Sequence, residues 1–433
     1  MINSRIKKFY DIGKNQLYPI CRSLTGSGVR KTLRILKKNF PELKILSEKS
    51  GKKVFDWNIP PEWNVVNAHV IDKFDNKIID FKKNNLHLIG YSIPVKKNVT
   101  KIELLKHLYT LPEQPDAIPY ITSYYKKYWG FCIPDNERKK INKKYRDDDK
   151  FKVIIKSNLN KSGYLNYGEL VVKGKSKQEI LISTYICHPS MANNELSGPI
   201  VSMCLIDYFR RFKNLKKTLR FIFIPETIGS ITYLNKNLKR LKDDLIGGYN
   251  LSCIGDDRNH SCMFSKYNDT QSDKALVKAY KDLKIKFKVY SFLKRGSDER
   301  QYCSPSVELP IASIFRTKYG EYPEYHTSLD DFSLVTKKGI AGGYTVTKKA
   351  IENLLETLIP QSKIICEPQM GKRNLCPNIS TKYPKTYTQN LMNFLQYADG
   401  RNSLEEISRL IKIKDSETKN IFLTLKKNNL LKW

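Results

Sequence analysis

The sequence predicts an α/β protein: a mixed sheet covered by helices on both faces, with a small β-rich domain inserted into it and a helical module at the C-terminal end. Three observations favour this fold class. Apolar runs of strand length alternate with helical stripes in the middle of the chain. Short β-rich runs separated by Pro, Asn and Asp precede them. The C-terminal residues carry helical patterns instead.

The strands of the main sheet are predicted from apolar runs. Residues 179–186 form a nearly continuous β-type run, as expected of a strand that helices cover on both faces. Residues 219–224 and 311–315 repeat this pattern, and an apolar stripe over residues 200–209 predicts a connecting helix. This alternation predicts that the functional site lies at the C-terminal ends of the strands.

The C-terminal module is predicted to be a winged helix. Ser403 and Glu406 form a helix capping box, and a second helix and a short β-type segment follow. A stretch rich in Pro and Lys precedes this module, as in a linker. The α/β domain is predicted at residues 1–50 and 116–357, with the β-rich module inserted at residues 51–115. A linker at residues 358–383 and the winged helix at residues 384–433 follow.

Composition narrows the class of protein. A chain of 433 residues with 40% hydrophobic residues forms globular domains. Lys and Arg number 77 against 43 Asp and Glu, but the Lys residues are spread over the whole length. We attribute the net charge of +34 to solvated Lys-rich faces and do not expect nucleic acid as a partner. No stretch resembles a signal peptide or a membrane span, and nine Cys without closely spaced pairs predict a cytoplasmic protein.

Polar side chains stand at the ends of the predicted strands. His188 follows the first apolar run, and Glu226 follows the second. Asn194 lies in a polar turn before the next helix, and His326 lies in a polar loop after the last predicted strand. Because the carboxyl ends of parallel strands share one edge of a sheet, these residues are predicted to meet in one crevice.

This combination of residues suits hydrolytic zinc chemistry. Such sites use about three nitrogen or oxygen ligands, an open position, and a carboxylate that takes a proton from metal-bound water. Each residue also has an ordinary interpretation. A lone His is more often a surface or packing residue, and Glu226 could instead cap a helix or pair with a Lys. The combination favours the catalytic interpretation.

The series from His188 to Glu226 resembles the zinc aminopeptidase superfamily of bacterial leucyl aminopeptidases. Members have a His at a strand end, an Asp-Asn-x-Ser-Gly turn whose Asp bridges two zinc ions, a Glu-Glu pair and a late His. More closely, the whole chain resembles an aminopeptidase-like family with an inserted β module and a C-terminal winged helix, often linked to surface-polysaccharide gene clusters. The motifs of this closer resemblance are residues 21–26, 118–120, 129–132, 187–190 and 324–328.

The resemblance implies a zinc site that departs from the superfamily pattern. The second Glu of the pair is Thr227 here and the Asp of a neighbouring strand is Ser252, so a second metal loses its ligands. Asn194 replaces the bridging Asp, and a neutral amide oxygen is a weaker zinc ligand than a carboxylate. Glu195 is the alternative ligand at this turn. The ligands that remain, for one zinc ion, are His188, Asn194 (or Glu195) and His326.

The implied function is zinc-dependent hydrolysis of amide bonds, with Glu226 as the general base. The enzyme is expected to be an aminopeptidase, or an amidase or deacylase that acts on an amino-acylated or N-acylated sugar. Its substrates are then small peptides or amino-sugar conjugates. Asp298 or Glu299 could anchor a substrate ammonium, and Arg300 or Arg316 could hold a carboxylate or a developing oxyanion. A structural ion-pair network is the alternative for residues 298–300.

A second function stays open because Asn194 is a weak ligand. In this alternative the chain is a catalytically degenerate peptidase-like protein that regulates through its winged helix, by binding a ligand or nucleic acid. The second predicted helix of that module, residues 416–428, carries only three Lys, and acidic residues stand at its start. We therefore rank an interaction role for this module above DNA binding. A homo-oligomer also stays open.

Overall fold

The computed structural model describes residues 2–375 and 386–433. The helices in these ranges, α1 to α12, span Ile2–Ile12, Ser27–Asn39, Lys101–Lys106, Asp135–Lys144, Ser197–Phe209, Ile228–Asp244, Gln271–Asp282, Glu299–Tyr302, Lys337–Glu356, Thr386–Tyr397, Leu404–Leu410 and Asp415–Lys427. The strands, β1 to β18, span Lys44–Lys49, Lys53–Val54, Trp57–Asn58, Glu62–Ile71, Lys77–Asp80, Val95–Thr100, Leu108–Tyr109, Phe131–Cys132, Lys150–Asn160, Tyr164–Val172, Glu179–Tyr185, Thr218–Ile224, Leu245–Leu251, Ser261–Met263, Lys288–Tyr290, Ile311–Phe315, Gln361–Ser362 and Leu431–Lys432. Across both ranges, no helix combines the length and the apolar character that crossing a membrane requires.

The main sheet has eight strands in the order β1-β10-β12-β11-β13-β16-β14-β15. Its four central strands, β12, β11, β13 and β16, are parallel to one another, whereas β1, β10 and β14 join the sheet in antiparallel fashion. The edge strand β15 pairs parallel with β14. Every residue of β11 and β12 is buried. Helices on both faces of a parallel sheet leave no solvent-facing positions, which explains the continuous apolar sequences of these strands.

Helices cover both faces of this sheet. Ile180 and Ile182 of β11 pack in a core with residues of α1, α5 and α9. Leu181 and Tyr185, which point to the opposite face, pack in a second core with residues of α6. The fold class predicted from the sequence, a mixed sheet with helices on both faces, is therefore confirmed.

A second sheet of four strands stands beside the main one, in the order β5-β4-β9-β6. Its longest strand, β9, pairs antiparallel with both β4 and β6. The predicted inserted module, residues 51–115, does not contain β9, which the sequence analysis placed in the α/β domain. The difference has a physical reason: the backbones of β4 and β6 need a pairing partner, and residues 150–160 supply it.

The C-terminal module contains α10, α11 and α12 around a small core of its own. The predicted capping box of Ser403 and Glu406 is present at the start of α11. β17 pairs with β18, so residues 361–362 of the predicted linker belong to the sheet of this module. Residues 376–383 of the linker and residues 384–385 of the predicted winged helix lie outside the described residues.

Side-chain hydrogen bonds join the C-terminal module to the α/β domain. Glu406 accepts hydrogen bonds from Lys274 and Gln271 of α7, at 2.5 and 2.6 Å. Ser176 Oγ donates to the carbonyl of Trp433 at 2.6 Å. The carboxylate of the capping box therefore both starts α11 and joins the two parts of the chain.

Candidate active site

Two neighbouring parallel strands bring His188 and Glu226 together. His188 follows β11 and Glu226 follows β12, and the last paired residues of these strands are Tyr185 and Ile224. The His188 Nε2 atom lies 3.7 Å from a carboxylate oxygen of Glu226. The side chain of His188 is 4% exposed and that of Glu226 is 20% exposed, so the carboxylate is the group that solvent can reach.

His326 joins them from the loop after β16. Its backbone has φ +57°, in the left-handed region, and its carbonyl accepts a hydrogen bond from the Tyr120 backbone at 2.8 Å. The same loop is held by Ser328, which exchanges hydrogen bonds with Ile118 at 2.9 and 3.0 Å. The His188 and His326 ring centroids are 5.4 Å apart, so the structure brings the two predicted imidazoles together.

Tyr120 forms one wall of this crevice. Its ring lies edge-on to both imidazoles, with centroid distances of 5.2 Å to His188 and 5.1 Å to His326. Its hydroxyl is hydrogen-bonded to that of Tyr124 at 2.9 Å. Burial raises the pKa of the Tyr120 hydroxyl well above its usual value, so this wall stays neutral.

Asn194 lies in a π-helical turn, Ala192–Leu196, that leads into α5. Asp330 holds this turn by accepting hydrogen bonds from the backbones of Asn193 and Asn194 at 2.5 and 2.9 Å. The Asn194 amide nitrogen donates to the Tyr185 hydroxyl at 2.9 Å, while its Oδ1 atom is buried without a hydrogen-bond partner. Because a buried amide oxygen normally has a partner, this atom is a candidate ligand.

Glu195 takes a different role from the ligand alternative of the sequence analysis. Its Oε2 atom is 2.9 Å from His188 Nδ1, and its Oε1 atom is 3.3 Å from Arg22 Nε. The side chains of Arg22 and Glu195 are both 0% exposed. Burial lowers the pKa of His188, but the hydrogen bond and the charge of Glu195 outweigh it and raise that pKa overall. Glu195 therefore orients His188 so that its Nε2 atom faces the crevice.

Arg22 is the residue of this site that the sequence analysis did not assign. It also donates to the carbonyls of His188, at 2.9 Å, and Leu17, at 2.6 Å. The only signal in the sequence is a charged residue among apolar neighbours, in the motif of residues 21–26. Its partners within the site, His188 and Glu195, stand far away in the sequence, and spacing alone does not reveal them.

Glu226 lies next to a strained turn. Thr227 has φ +63° and ψ −77°, and the Ile228 backbone donates to the Glu226 carbonyl at 2.8 Å, which defines a γ-turn with positive φ. Burial raises the pKa of Glu226, and the charge of His188 offsets part of this effect. A carboxylate with a raised pKa is a stronger base than an ordinary one, as a general base requires.

Asp298 and Arg300 hold that turn from the other side. Asp298 accepts hydrogen bonds from the Thr227 backbone at 2.8 Å and from Ser230 Oγ at 2.7 Å, and its Oδ2 atom is buried without a partner. Burial and the nearby charge of Glu226 raise the pKa of Asp298 to about 7. Arg300 donates to Thr227 Oγ1 at 2.6 Å. Both predicted substrate-binding residues are therefore beside Glu226, and both have a structural role there.

Glu299 and Arg316 do not contact the residues around His188. Glu299 is 1% exposed, and its carboxylate accepts hydrogen bonds from Tyr319 and from the backbones of Gly296 and Ser297. These donors all bond to Oε1, and Oε2 accepts from Asn250 and Ser313 at 3.1 and 3.3 Å, so both oxygens already have partners within the described residues. The Arg316 guanidinium contacts the ring of His260 instead.

Three side chains are candidates to hold a metal ion here: His188, Asn194 and His326. In the described residues, His326 Nε2 and Asn194 Oδ1 are buried without hydrogen-bond partners, and the rings of His326 and His188 lie side by side with centroids 5.4 Å apart. Burial and the neighbouring His188 lower the pKa of His326 to about 3, so its ring stays neutral and can act as a ligand. At the position of a second metal, Thr227 Oγ1 accepts from Arg300 and Ser252 has no carboxylate to offer.

A second group of ligand-type side chains is a weaker candidate. Ligand atoms of Cys187, His188 and Glu195 lie within 4.8 Å of one another. Glu195 is already occupied by Arg22 and His188. Burial raises the pKa of the Cys187 thiol well above its usual value, whereas metals bind the thiolate. The other nitrogen of His188, Nε2, is therefore the better candidate for a ligand atom.

Comparison with solved structures identifies the class of fold. A zinc aminopeptidase from Bacillus subtilis has a TM-score of 0.59 at 12% sequence identity, over 81% of this chain and 94% of that one. This chain thus has an aminopeptidase-like α/β fold. A crystal structure from Clostridium acetobutylicum, provisionally named a peptidase, has a TM-score of 0.79 at 37% identity, over 100% of this chain and 97% of that one.

Sequence comparison identifies the family. Residues 10–357 match a domain of unknown function, DUF4910, and the chain belongs to that family. Residues 358–433 match a winged helix-turn-helix. A relative from Clostridium acetobutylicum is 41% identical over 397 residues, which cover 91% of this chain and 89% of the relative. It is provisionally named a polysaccharide biosynthesis protein with an aminopeptidase-like domain. The resemblance recognised from the sequence motifs is therefore confirmed.

Proposed function

We propose that this protein is a hydrolase of amide bonds that uses one zinc ion, held by His188, Asn194 and His326. One observation carries the proposal: two imidazoles have ring centroids 5.4 Å apart, and one of them lies 3.7 Å from a carboxylate that solvent can reach. The unpartnered, buried oxygen of Asn194 and nitrogen of His326 support the same assignment. Without a bound metal, each of these two atoms would be a buried polar group without a partner, which destabilises the fold.

A zinc ion in such a site acts as a Lewis acid, which polarises a carbonyl oxygen and makes a nearby water more acidic. The protein residues then have separate tasks. Glu226 accepts the proton of the attacking water on its carboxylate and returns it to the leaving amine. Glu195 and Arg22 fix the orientation of His188. The Tyr120 ring covers both imidazoles and restricts the entry of bulk water.

The substrate class follows from the charges beside Glu226. Arg300 reaches the turn at Thr227 and is the candidate to hold a carboxylate or a developing oxyanion. Asp298 is the candidate to hold a substrate amine, although its carboxylate also closes the turn. Peptides suit this arrangement. The name of the Clostridium acetobutylicum relative supports an amino-acylated or N-acylated sugar.

The free thiols of the described Cys residues support activity in the cytoplasm.

Metal analysis of purified variants tests the proposal. Wild type and Asn194→Asp are loaded with zinc, dialysed and analysed for metal per chain, with His188→Ala as the variant that should lose it. We expect about one zinc per chain in wild type, tighter binding in Asn194→Asp, and hydrolysis of aminoacyl amides that Glu226→Gln abolishes without releasing the metal. Zinc in Asn194→Asp alone would instead identify a degenerate member of the family. Absence of metal from both proteins would refute the proposed chemistry.

A further inference from the structure

A cationic depression lies on the far part of the main sheet, around Arg316 and His260. It has a volume of about 450 Å³, and its lining residues come from the loop before β14, from the start of β15 and from the end of β16. Arg316, Arg258, Lys286 and Lys288 contribute four positive charges to the lining, and Asp257 contributes one negative charge. Such a balance favours a negatively charged ligand.

Arg316 is in an unusual state for a buried charge. The residue is 6% exposed, its Nε atom is buried without a hydrogen-bond partner, and in the described parts of the chain no carboxylate lies within ion-pair distance of it. Its guanidinium contacts the ring of His260. Burial and the charge of Arg316 lower the pKa of His260 to about 4, so this ring offers no negative charge. Burial lowers the pKa of Arg316 itself, and the charges of Asp256 and Asp257 offset only part of this effect. A buried charge that is only partly compensated is costly, and a further anion would stabilise it.

In the described residues, the two acids nearest to Arg316 form no ion pair with it, and their hydrogen bonds come from other groups. Asp256 accepts hydrogen bonds from Asn193 and from the backbone and hydroxyl of Thr317, and Asp257 accepts from Thr336. Arg258 forms a bidentate ion pair with Glu324.

Two cations that line the depression form no ion pair within the described residues. Lys288 is 3.6 Å from Glu321, whereas Lys286, like Arg316, has no ion-pair partner among residues 2–375 and 386–433.

The guanidinium is also fixed in place. A Cβ atom at Gly342 of α9 would approach Arg316 Nη1 to 2.1 Å, so the helix backbone packs directly against the guanidinium. A fixed fork of N–H donors at the floor of an open depression matches the oxygens of a tetrahedral oxyanion. The surplus of positive charge in the lining favours an anionic group over a neutral one.

We propose that the depression around Arg316 binds the phosphoryl group of a small molecule, with Lys286 as the second cationic contact. This site is separate from the crevice of His188 and His326, and the proposal does not depend on hydrolysis. The phosphoryl oxygens accept from the Arg316 guanidinium and neutralise the charge that the fold leaves unpaired.

Calorimetric titration with inorganic phosphate, at constant ionic strength, tests this site on the full chain. We expect wild type to bind about one phosphate, Arg316→Met to bind it at least about tenfold more weakly, and Lys286→Met, a surface change that spares the fold, to weaken it about threefold. Acetate, which is a monoanion, should bind clearly more weakly than phosphate. Wild-type affinity in both variants, equal binding of acetate, or no binding to wild type would overturn the proposal.

Thermal unfolding without phosphate supplies the matched control. Arg5 is as buried as Arg316, at 8% exposure, but it forms an ion pair with Asp207 at 2.7 Å. We expect Arg5→Met to lower the unfolding temperature and to keep phosphate binding, whereas Arg316→Met should unfold at the wild-type temperature or above. A large loss of stability in Arg316→Met equal to that in Arg5→Met would show that the guanidinium is already compensated, against the proposal.

Discussion

The buried ion pair of Arg22 and Glu195 allows a quantitative prediction. Both side chains are 0% exposed, and their atoms are 3.3 Å apart. Arg22→Met leaves the Glu195 charge without its guanidinium, which costs about 3–5 kcal/mol for a buried pair. The carbonyls of Leu17 and His188 also lose a donor, at about 1 kcal/mol each. The expected loss of about 5–7 kcal/mol is comparable with the whole stability of a domain.

A double variant separates the charge effect from the hydrogen bonds. Arg22→Met combined with Glu195→Gln removes both charges, so the loss should fall to about 2–3 kcal/mol, which reflects the two carbonyls. Urea unfolding of wild type, both single variants and the double variant measures this difference. Arg30→Met is the matched control, since its ion pair with Glu62 is partly exposed and is worth about 1 kcal/mol.

The same variants report on the site through metal affinity. If Glu195 orients His188, Glu195→Gln should weaken zinc binding about 10–100-fold, as for other carboxylates that position a ligand. A double variant that is at least as unstable as Arg22→Met would contradict the charge argument. Wild-type zinc affinity in Glu195→Gln would contradict the positioning role, even if the stability results agree.

Three further predictions concern residues outside this pair. The pKa of Asp298 is raised from 3.8 to about 7 in the folded protein. Its contribution to the free energy of unfolding is therefore fully present below about pH 4 and is lost as the pH rises towards 7, and the loss amounts to up to about 4 kcal/mol. Asp298→Asn should therefore gain stability relative to wild type between pH 5 and 8 in thermal unfolding (a pH-independent difference would contradict this). Lys217 donates to the carbonyls of Leu354, Leu355 and Thr357, so Lys217→Met should lower the free energy of unfolding in urea by about 2–3 kcal/mol. The control Lys216→Met, which removes an exposed ion pair with Glu356, should lower it by less than about 0.5 kcal/mol. Glu406→Ala removes the capping box of α11 and should raise the rate of amide hydrogen exchange in α11 and α12 by about tenfold, because the loss of a cap destabilises a helix by roughly that factor. Glu405→Ala, at an exposed position, should leave this rate unchanged.

The sequence analysis predicted the features that depend on local pattern. Apolar runs located β11, β12 and β16, because a strand buried on both faces cannot alternate with polar residues. The ends of these strands then placed His188 and Glu226 at one edge of the sheet. The capping box of α11 was found in the same way, because its two residues are only three positions apart.

Features that depend on long-range contacts were not predictable in this way. β9 belongs to the second sheet because of its pairing partners, and its own sequence does not distinguish the two sheets. Arg22 meets Glu195 across the fold, and Glu299 is saturated by donors from other elements. A charged residue in the sequence does not show whether its partner is a substrate or the protein itself.

The separation of the site along the chain has a consequence for synthesis. Arg22 and His326 are about 300 residues apart. At a translation rate of about 5–20 residues per second, the arginine emerges from the ribosome roughly 15–60 s before that imidazole does. During this interval His188 and Glu195, the long-range partners of the arginine, also emerge, and the crevice still lacks its second imidazole. A ligand that depends on both imidazoles is therefore expected to bind only after residue 326 has emerged.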